Sequence, residues 1–189
     1  MTRRLWLVRH ATPLVAPGTC YGRLDMQADA GDTARAAAAL AAALPPVHRV
    51  ATSPLRRCRQ LAQELQRLRP AVAPVTDARL IEMDFGAWEG QAWNALGAAG
   101  MDAWMADFAG FAPGGGETVT ALMARVRDAM EAAPAGDTVW ITHAGVIRAA
   151  TLIARGLPDR LGAADWPADA LAFGSVTVVE LPPVPAPKD

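Results

Sequence analysis

The sequence predicts an α/β protein, a three-layer α/β/α sandwich around a mostly parallel central sheet. Three observations carry that reading. Leu5-Trp6-Leu7-Val8 is apolar without interruption, as a strand buried on both faces of a parallel sheet is, and Thr138-Val139-Trp140-Ile141 reads as a second strand of that buried type. Apolar residues recur at helical spacing in Leu55, Cys58, Leu61, Leu65 and Leu68, and again in Val119, Leu122, Met123, Val126 and Met130. Strand-like and helix-like segments alternate along the chain, the pattern of helices packed on both sides of one sheet.

The elements follow in order. The first strand, residues 5–8, ends in Arg9-His10. A helix is expected over 32–44, stopped by Pro45-Pro46. Residues 47–52 read as the second strand. Ser53-Pro54 reads as an N-cap with proline in the first turn, opening a helix that runs to Pro70. Residues 71–75 are a candidate third strand. The stretch 77–116 is rich in glycine and aromatic residues and is expected to be irregular, with short helices, as a variable lid. Glu117 opens the next helix, which Pro134-Ala135-Gly136 ends. The strand through Ile141 ends in Thr142-His143, a helix is expected over 145–155, and residues 175–181 form the last strand. No repeat or linker interrupts this order, so one domain is expected over 1–181. The proline-rich 182–189 is expected to be a disordered tail.

At 189 residues the chain is long enough for one sizeable core. Hydrophobic residues make up 52% and charged residues 20%, with a net charge of −1, so neither a nucleic acid nor an anionic membrane is the expected partner. Lysine occurs once, at Lys188, so the other cationic residues are arginines. That removes a Walker A lysine, an interior Schiff-base lysine and a kinase strand lysine. Cys20 and Cys58 are isolated and form no CxxC pair. The apolar run near the N-terminus is shorter than the roughly 7–15 residues of a signal peptide, and no run approaches the roughly 20 residues of a spanning helix. A cytoplasmic protein is expected.

Two of the three histidines, His10 and His143, directly follow buried-type strands and should reach the carboxyl edge of the sheet, where ligands bind in such folds. His48 precedes a strand beside Arg49 and reads as a surface residue. No short HxxxH or CxxC spacing exists, and Arg9 beside His10 would oppose a cation, so no metal is expected. An anion suits Arg9-His10 better, because a guanidinium offers planar bidentate donors to phosphate. Arg56 and Arg57 fall in the first turn of a helix after a strand, and one of the two is expected on a solvated face. His143-Ala144-Gly145 has the same strand-to-helix geometry, whose free amides and dipole favour an anion. Three such junctions describe a phosphate pocket.

Leu7-Val8-Arg9-His10, Ser53-Pro54-Leu55-x-Arg57, Glu82-x-x-x-Gly86-x-Trp88-Glu89-Gly90, Gly115-Gly116-Glu117-Thr118 and Thr142-His143-x-Gly145 together resemble, in order and spacing, the histidine phosphatase superfamily with its phosphoglycerate-mutase-like fold. Gly18-Thr19-Cys20-Tyr21-Gly22-Arg23-Leu24-Asp25 is similar to the small bacterial branch that includes α-ribazole phosphatase of cobalamin biosynthesis. The resemblance implies His10 as a nucleophile that forms a phosphohistidine. It implies Arg9, Arg57 and His143 as phosphoryl ligands and Glu82 as the general acid, later the base. Ala144, Tyr21, Gly22 and Arg23 are expected to bind substrate, with Cys20, Tyr21 and Arg23 at the pocket mouth. No cofactor is implied. Two departures stand out. Ala11 occupies the family's glycine position, which requires either a negative φ or a shifted loop, and Pro13 occupies a threonine position, with Thr12 one place early.

The expected activity is hydrolysis of a small phosphorylated metabolite without a metal, α-ribazole 5′-phosphate among the candidates. The alternatives are a mutase, a protein phosphohistidine phosphatase and a catalytically silent phosphate-binding module. Trp88, Trp93, Trp104, Phe108 and Phe111 could stack on a nucleoside-like substrate, although most are expected to be packing residues.

Overall fold

A computed structural model describes residues 3–46, 49–158 and 160–182. His48 and residues 183–189, the bulk of the expected tail, lie outside the described residues. The strands are β1 (Arg3–Arg9), β2 (Arg49–Thr52), β3 (Val75–Thr76), β4 (Asp137–Thr142) and β5 (Val176–Leu181); the helices are α1 (Ala30–Ala43), α2 (Arg56–Leu68), α3 (Ala98–Ala106), α4 (Val119–Glu131) and α5 (Ala144–Ala154). The sheet order is β3-β2-β4-β1-β5. All neighbours run parallel except β5, which runs antiparallel to β1 along one edge. The expected α/β architecture is therefore the observed one.

The apolar strands divide by their two-residue period. Leu5 and Leu7 of β1 and Trp140 of β4 pack on α4 and α5 through Leu122, Met123 and Ile147. Val8, Val139 and Ile141 face the other way, onto Ala37 and Leu40 of α1 and Leu61 and Leu65 of α2. All six β4 residues are buried, which is why that strand carries no alternation. No helix among the described residues is long and apolar enough to cross a membrane.

Several boundaries differ from the sequence expectation. Helix α2 begins at Arg56 with Leu55 at its N-cap, not at Pro54 after a Ser53 cap. The Ser53 hydroxyl accepts from the Leu55 amide at 3.4 Å, in the turn ahead of the helix, and stands 2.8 Å from His143 Nε2, so it caps that turn and not α2. Leu68 closes the last turn of α2 and is 40% exposed, so it leaves the apolar stripe. β3 has two residues where five were expected. α4 starts two residues after Glu117, with the Thr118 hydroxyl accepting from the Ala121 amide at 3.0 Å. Glu117 instead holds the Arg125 guanidinium at 2.6 and 2.8 Å. The stretch 77–116 is irregular as expected: short 3₁₀ turns and the nine-residue α3.

Candidate active site

His10 and His143 follow directly on the adjacent parallel strands β1 and β4, whose last residues pair as Arg9 with Thr142. Their ring centroids lie 5.2 Å apart at 60°. His10 Nδ1 stands 2.7 Å from the Ala11 carbonyl oxygen. A carbonyl only accepts, so Nδ1 carries the proton and Nε2 keeps its lone pair. No non-glycine residue among those described has a positive φ, so Ala11 fills the expected glycine position with ordinary backbone.

His10 is 1% exposed, and its contact with solvent runs through the cavity described below. Burial first, then the Arg57 and Arg9 charges, push its pKa down to about 3. His143 is fully buried, and burial, then Arg57, then His10 hold it well below the ordinary value. Both imidazoles are neutral in the folded chain at pH 7.

That has a consequence for stability. The unfolded chain binds a proton at each imidazole near pH 6.5, whereas the folded chain does not until far lower pH. Stability from these groups is complete above pH 6.5 and is lost as pH falls toward the folded value. The expected slope is about 1.4 kcal/mol per pH unit from His10 between pH 6 and 4, and His143 adds to it in the same direction. Urea unfolding across that range measures it, and His143→Asn should remove one share of the slope.

Arg57, at the N-terminus of α2, is fully buried, while its neighbour Arg56 is exposed. Its Nη1 donates to the Leu24 carbonyl at 2.7 Å and its Nη2 to the Gly22 carbonyl at 2.6 Å. Arg9 donates through Nη1 to the Leu171 carbonyl, and its guanidinium lies 3.9 Å from the Phe173 ring centroid. The Nε–H groups of both arginines are buried without an acceptor among the described residues. Buried charged donors without partners are costly, and two of them beside a neutral imidazole suit a tetrahedral oxyanion.

Glu82 is 9% exposed. Its Oε2 accepts from the Gly145 amide at 3.1 Å, at the start of α5, and its Oε1 from the Met83 amide at 3.0 Å. A Cβ on Gly145 would fall 2.3 Å from Glu82 Oε1, so glycine is required there by close approach.

A cavity of about 330 Å³ opens onto Arg9, His10, Tyr21, Glu82, Ala144 and Arg148 on its polar side. Phe85, Trp93, Trp104, Phe108 and Trp166 form its apolar wall. Of the expected aromatic set, Trp88 and Phe111 are not on this wall; Trp88 packs behind, 5.9 Å from Trp104. Arg57 and His143 lie behind the polar side without lining it. Gly22 contributes its carbonyl to Arg57. Arg23 turns toward Asp84 at 3.4 Å and Glu117 at 4.0 Å, away from the lining. Cys20 is fully buried rather than at the mouth, and burial then Glu89 push its thiol up to about 12.

Four residues were not anticipated in these positions. Ser53 Oγ sits 2.8 Å from His143 Nε2. Phe173 lies against both Arg9 and His10, its ring centroid 5.6 Å from that of His10. Glu89 accepts the amides of Arg23, Leu24 and Phe85 at 2.8, 2.7 and 3.1 Å, joining the loop that holds Arg57 to the one after Glu82. Arg148 lines the cavity. Ser53 and Glu89 stand within the quoted sequence blocks; no local pattern marks Phe173.

No curated protein matches the chain. The sequence profile of the histidine phosphatase superfamily (branch 1) matches residues 5–182. Among solved structures, a mycobacterial glucosyl-3-phosphoglycerate phosphatase is 27% identical, with a TM-score of 0.76 over 95% of this chain and 91% of that one. Its complex with inorganic phosphate aligns at 26% identity and a TM-score of 0.76, covering 93% and 88%. The protein TTHB049 from Thermus thermophilus is 32% identical, with a TM-score of 0.71 over 93% and 92%. With the strand order, the histidine-bearing edge and a profile spanning nearly the whole length in agreement, the chain belongs to the histidine phosphatase superfamily.

Proposed function

We propose that the protein is a phosphomonoesterase that hydrolyses a small phosphorylated metabolite through a phosphohistidine on His10, within one catalytic domain over 1–181. The observation that carries this reading is the neutral, tautomer-fixed His10 beside two guanidinium groups whose buried Nε–H donors lack acceptors. The phosphoryl oxygens take those donors, which supply fixed positive charge where negative charge spreads in phosphoryl transfer. His10 Nε2 attacks phosphorus, the N–P bond forms, and the P–O bond to the leaving group breaks. Glu82, protonated at that moment, gives its proton to the departing alkoxide. In the second half, the Glu82 carboxylate takes a proton from water, the water oxygen attacks phosphorus, and the N–P bond breaks to release phosphate and free His10.

Within that class, a ring-bearing ester such as α-ribazole 5′-phosphate is favoured by two features: the resemblance of residues 18–25 to the α-ribazole phosphatase branch, and the aromatic wall opposite the polar side. The test is hydrolysis of p-nitrophenyl phosphate in EDTA, followed by a panel of phosphorylated metabolites that includes α-ribazole 5′-phosphate. Turnover unchanged by EDTA is expected, and a strict metal requirement would reject an arginine-based site. Isomerisation of 3-phosphoglycerate in the presence of 2,3-bisphosphoglycerate would replace hydrolysis by the mutase reading.

A further inference from the structure

Phe173 touches two members of the site and takes no part in the steps above. Its ring centroid lies 3.9 Å from the Arg9 guanidinium carbon and 5.6 Å from the His10 ring centroid. The turn that carries it is fastened to the end of β1. The Leu171 carbonyl accepts from the Arg9 side chain, and the Ser175 carbonyl accepts from the Arg9 amide at 3.0 Å. The Gly174 amide donates to the Arg9 and His10 carbonyls, each at 3.1 Å. A Cβ on Gly174 would stand 2.9 Å from the Ala36 Cβ, so the turn is also wedged against α1. The backbone on both sides of Phe173 therefore sets the ring's place over Arg9 and His10.

Two physical effects meet at that place. A cation over a ring face is attracted by the ring's quadrupole. The guanidinium then offers its face to Phe173 and keeps its N–H edge for acceptors in its own plane. One donor on that edge, Nε–H, is buried without an acceptor among the described residues. The second effect concerns water. Phe173 is 40% exposed and lines a separate hollow of about 330 Å³ with Ala11, Thr12, Asp32, Arg35 and Ala36. His10, against the same ring, is 1% exposed. The ring thus stands between an open hollow and the imidazole. Burial is the foremost cause of the low His10 pKa.

We infer that Phe173 is a positioning residue: its ring face orients the Arg9 guanidinium toward the phosphoryl oxygens, and its bulk shuts one side of His10 off from solvent. The inference rests on the phosphomonoesterase reading and gives this ring a duty apart from the aromatic wall of the cavity. The charged and titratable groups about His10 are Arg9 beside it in the chain, Arg57 on α2, His143 after β4, and Tyr21 and Glu82 on the cavity's polar side. Asp32 and Arg35 of α1, in the hollow, pair with one another. Substitution of Phe173 alters none of these groups, so a moved pH profile reports the access of water to His10.

The test uses the full chain in EDTA, with p-nitrophenyl phosphate as substrate and inorganic phosphate as inhibitor. Phe173→Leu keeps the bulk and removes the ring face. Its inhibition constant for phosphate should rise about 5-fold, the size of one cation–π contact, while its pH profile stays at the wild-type position. Phe173→Ala removes both. Its inhibition constant should rise at least as far, and the acid side of its profile should move up by about half a pH unit or more as water reaches His10. Phe173→Tyr keeps both and should match the wild type in each readout. The substrate's own ionisation is the same for every variant. A residue that only filled the turn would lower the melting temperature and move neither the inhibition constant nor the profile. Wild-type values of both in Phe173→Ala overturn the inference. So does a Phe173→Leu enzyme that matches Phe173→Ala in both, since ring face and bulk would then not act separately. A wild-type chain that hydrolyses no phosphate ester sinks the phosphatase reading, and this inference with it.

Discussion

Replacing His10 by alanine should lower turnover of p-nitrophenyl phosphate by at least about 1,000-fold, the usual scale for losing a covalent nucleophile. Three features set the size of the effect. The Nδ1 proton is committed to the Ala11 carbonyl, so the lone pair is fixed on Nε2. Burial and two guanidinium charges keep the ring unprotonated down to about pH 3. Among the described residues no second imidazole can substitute, because His143 is fully buried with Nε2 against Ser53 Oγ. Phosphate binding should outlast the substitution, since Arg9 and Arg57 keep their unpartnered donors. Inorganic phosphate should therefore still protect the variant against thermal unfolding. The wild-type protein, quenched in alkali during turnover, should carry an acid-labile phosphoryl group that the variant lacks. Retained turnover in the variant would remove His10 from the nucleophile's role.

The sequence was informative wherever burial or chain order constrained it locally. Leu5–Val8 and Val139–Ile141 read as strands because both faces of a central strand are apolar, and the structure buries Leu5, Leu7, Val8, Val139 and Ile141 almost completely. The histidines were legible because each follows its strand, and two parallel neighbours must end at the same edge. Arg57 and Arg56 separated as expected, one inside and one exposed, because adjacent helical positions point about 100° apart. The partners of these groups were not legible. Arg9 finds the Leu171 carbonyl 162 residues away, and Arg57 finds those of Gly22 and Leu24 at 35 and 33 residues. Carbonyl groups leave no mark on residue type, so no composition or spacing can announce them. Phe173 was invisible for a related reason. Its place over Arg9 follows from Gly174, whose amide reaches the carbonyls of Arg9 and His10 at 3.1 Å and whose φ of +72° turns the chain there. Ser53 was misread because a helix-start pattern and a histidine-holding hydroxyl use the same residue type.

Arg57→Met should be the most damaging single change to both fold and chemistry. The guanidinium satisfies two carbonyls in a fully buried place, and its loss leaves both without their donors, at about 1–3 kcal/mol each. A fall in melting temperature of about 5–15 °C follows for a chain of this size. At a temperature below both midpoints, kcat/KM should still drop by at least about 100-fold, because a phosphoryl donor is gone. Arg57→Lys should recover little of that rate, since an ammonium cannot span two carbonyls and an oxyanion in one plane. The two variants should part in their pH dependence. Arg57 is the foremost charge lowering the His10 pKa, after burial itself. Without that charge the folded His10 takes a proton at higher pH, so the acid side of the rate profile should move upward in Arg57→Met. Arg57→Lys keeps the charge and should leave it near the wild-type position. A residue that only held the loop at Gly22 and Leu24 would lower stability and rate in both variants and move neither profile. An upward shift confined to methionine therefore separates an arginine that keeps the nucleophile neutral from one that merely fastens the fold.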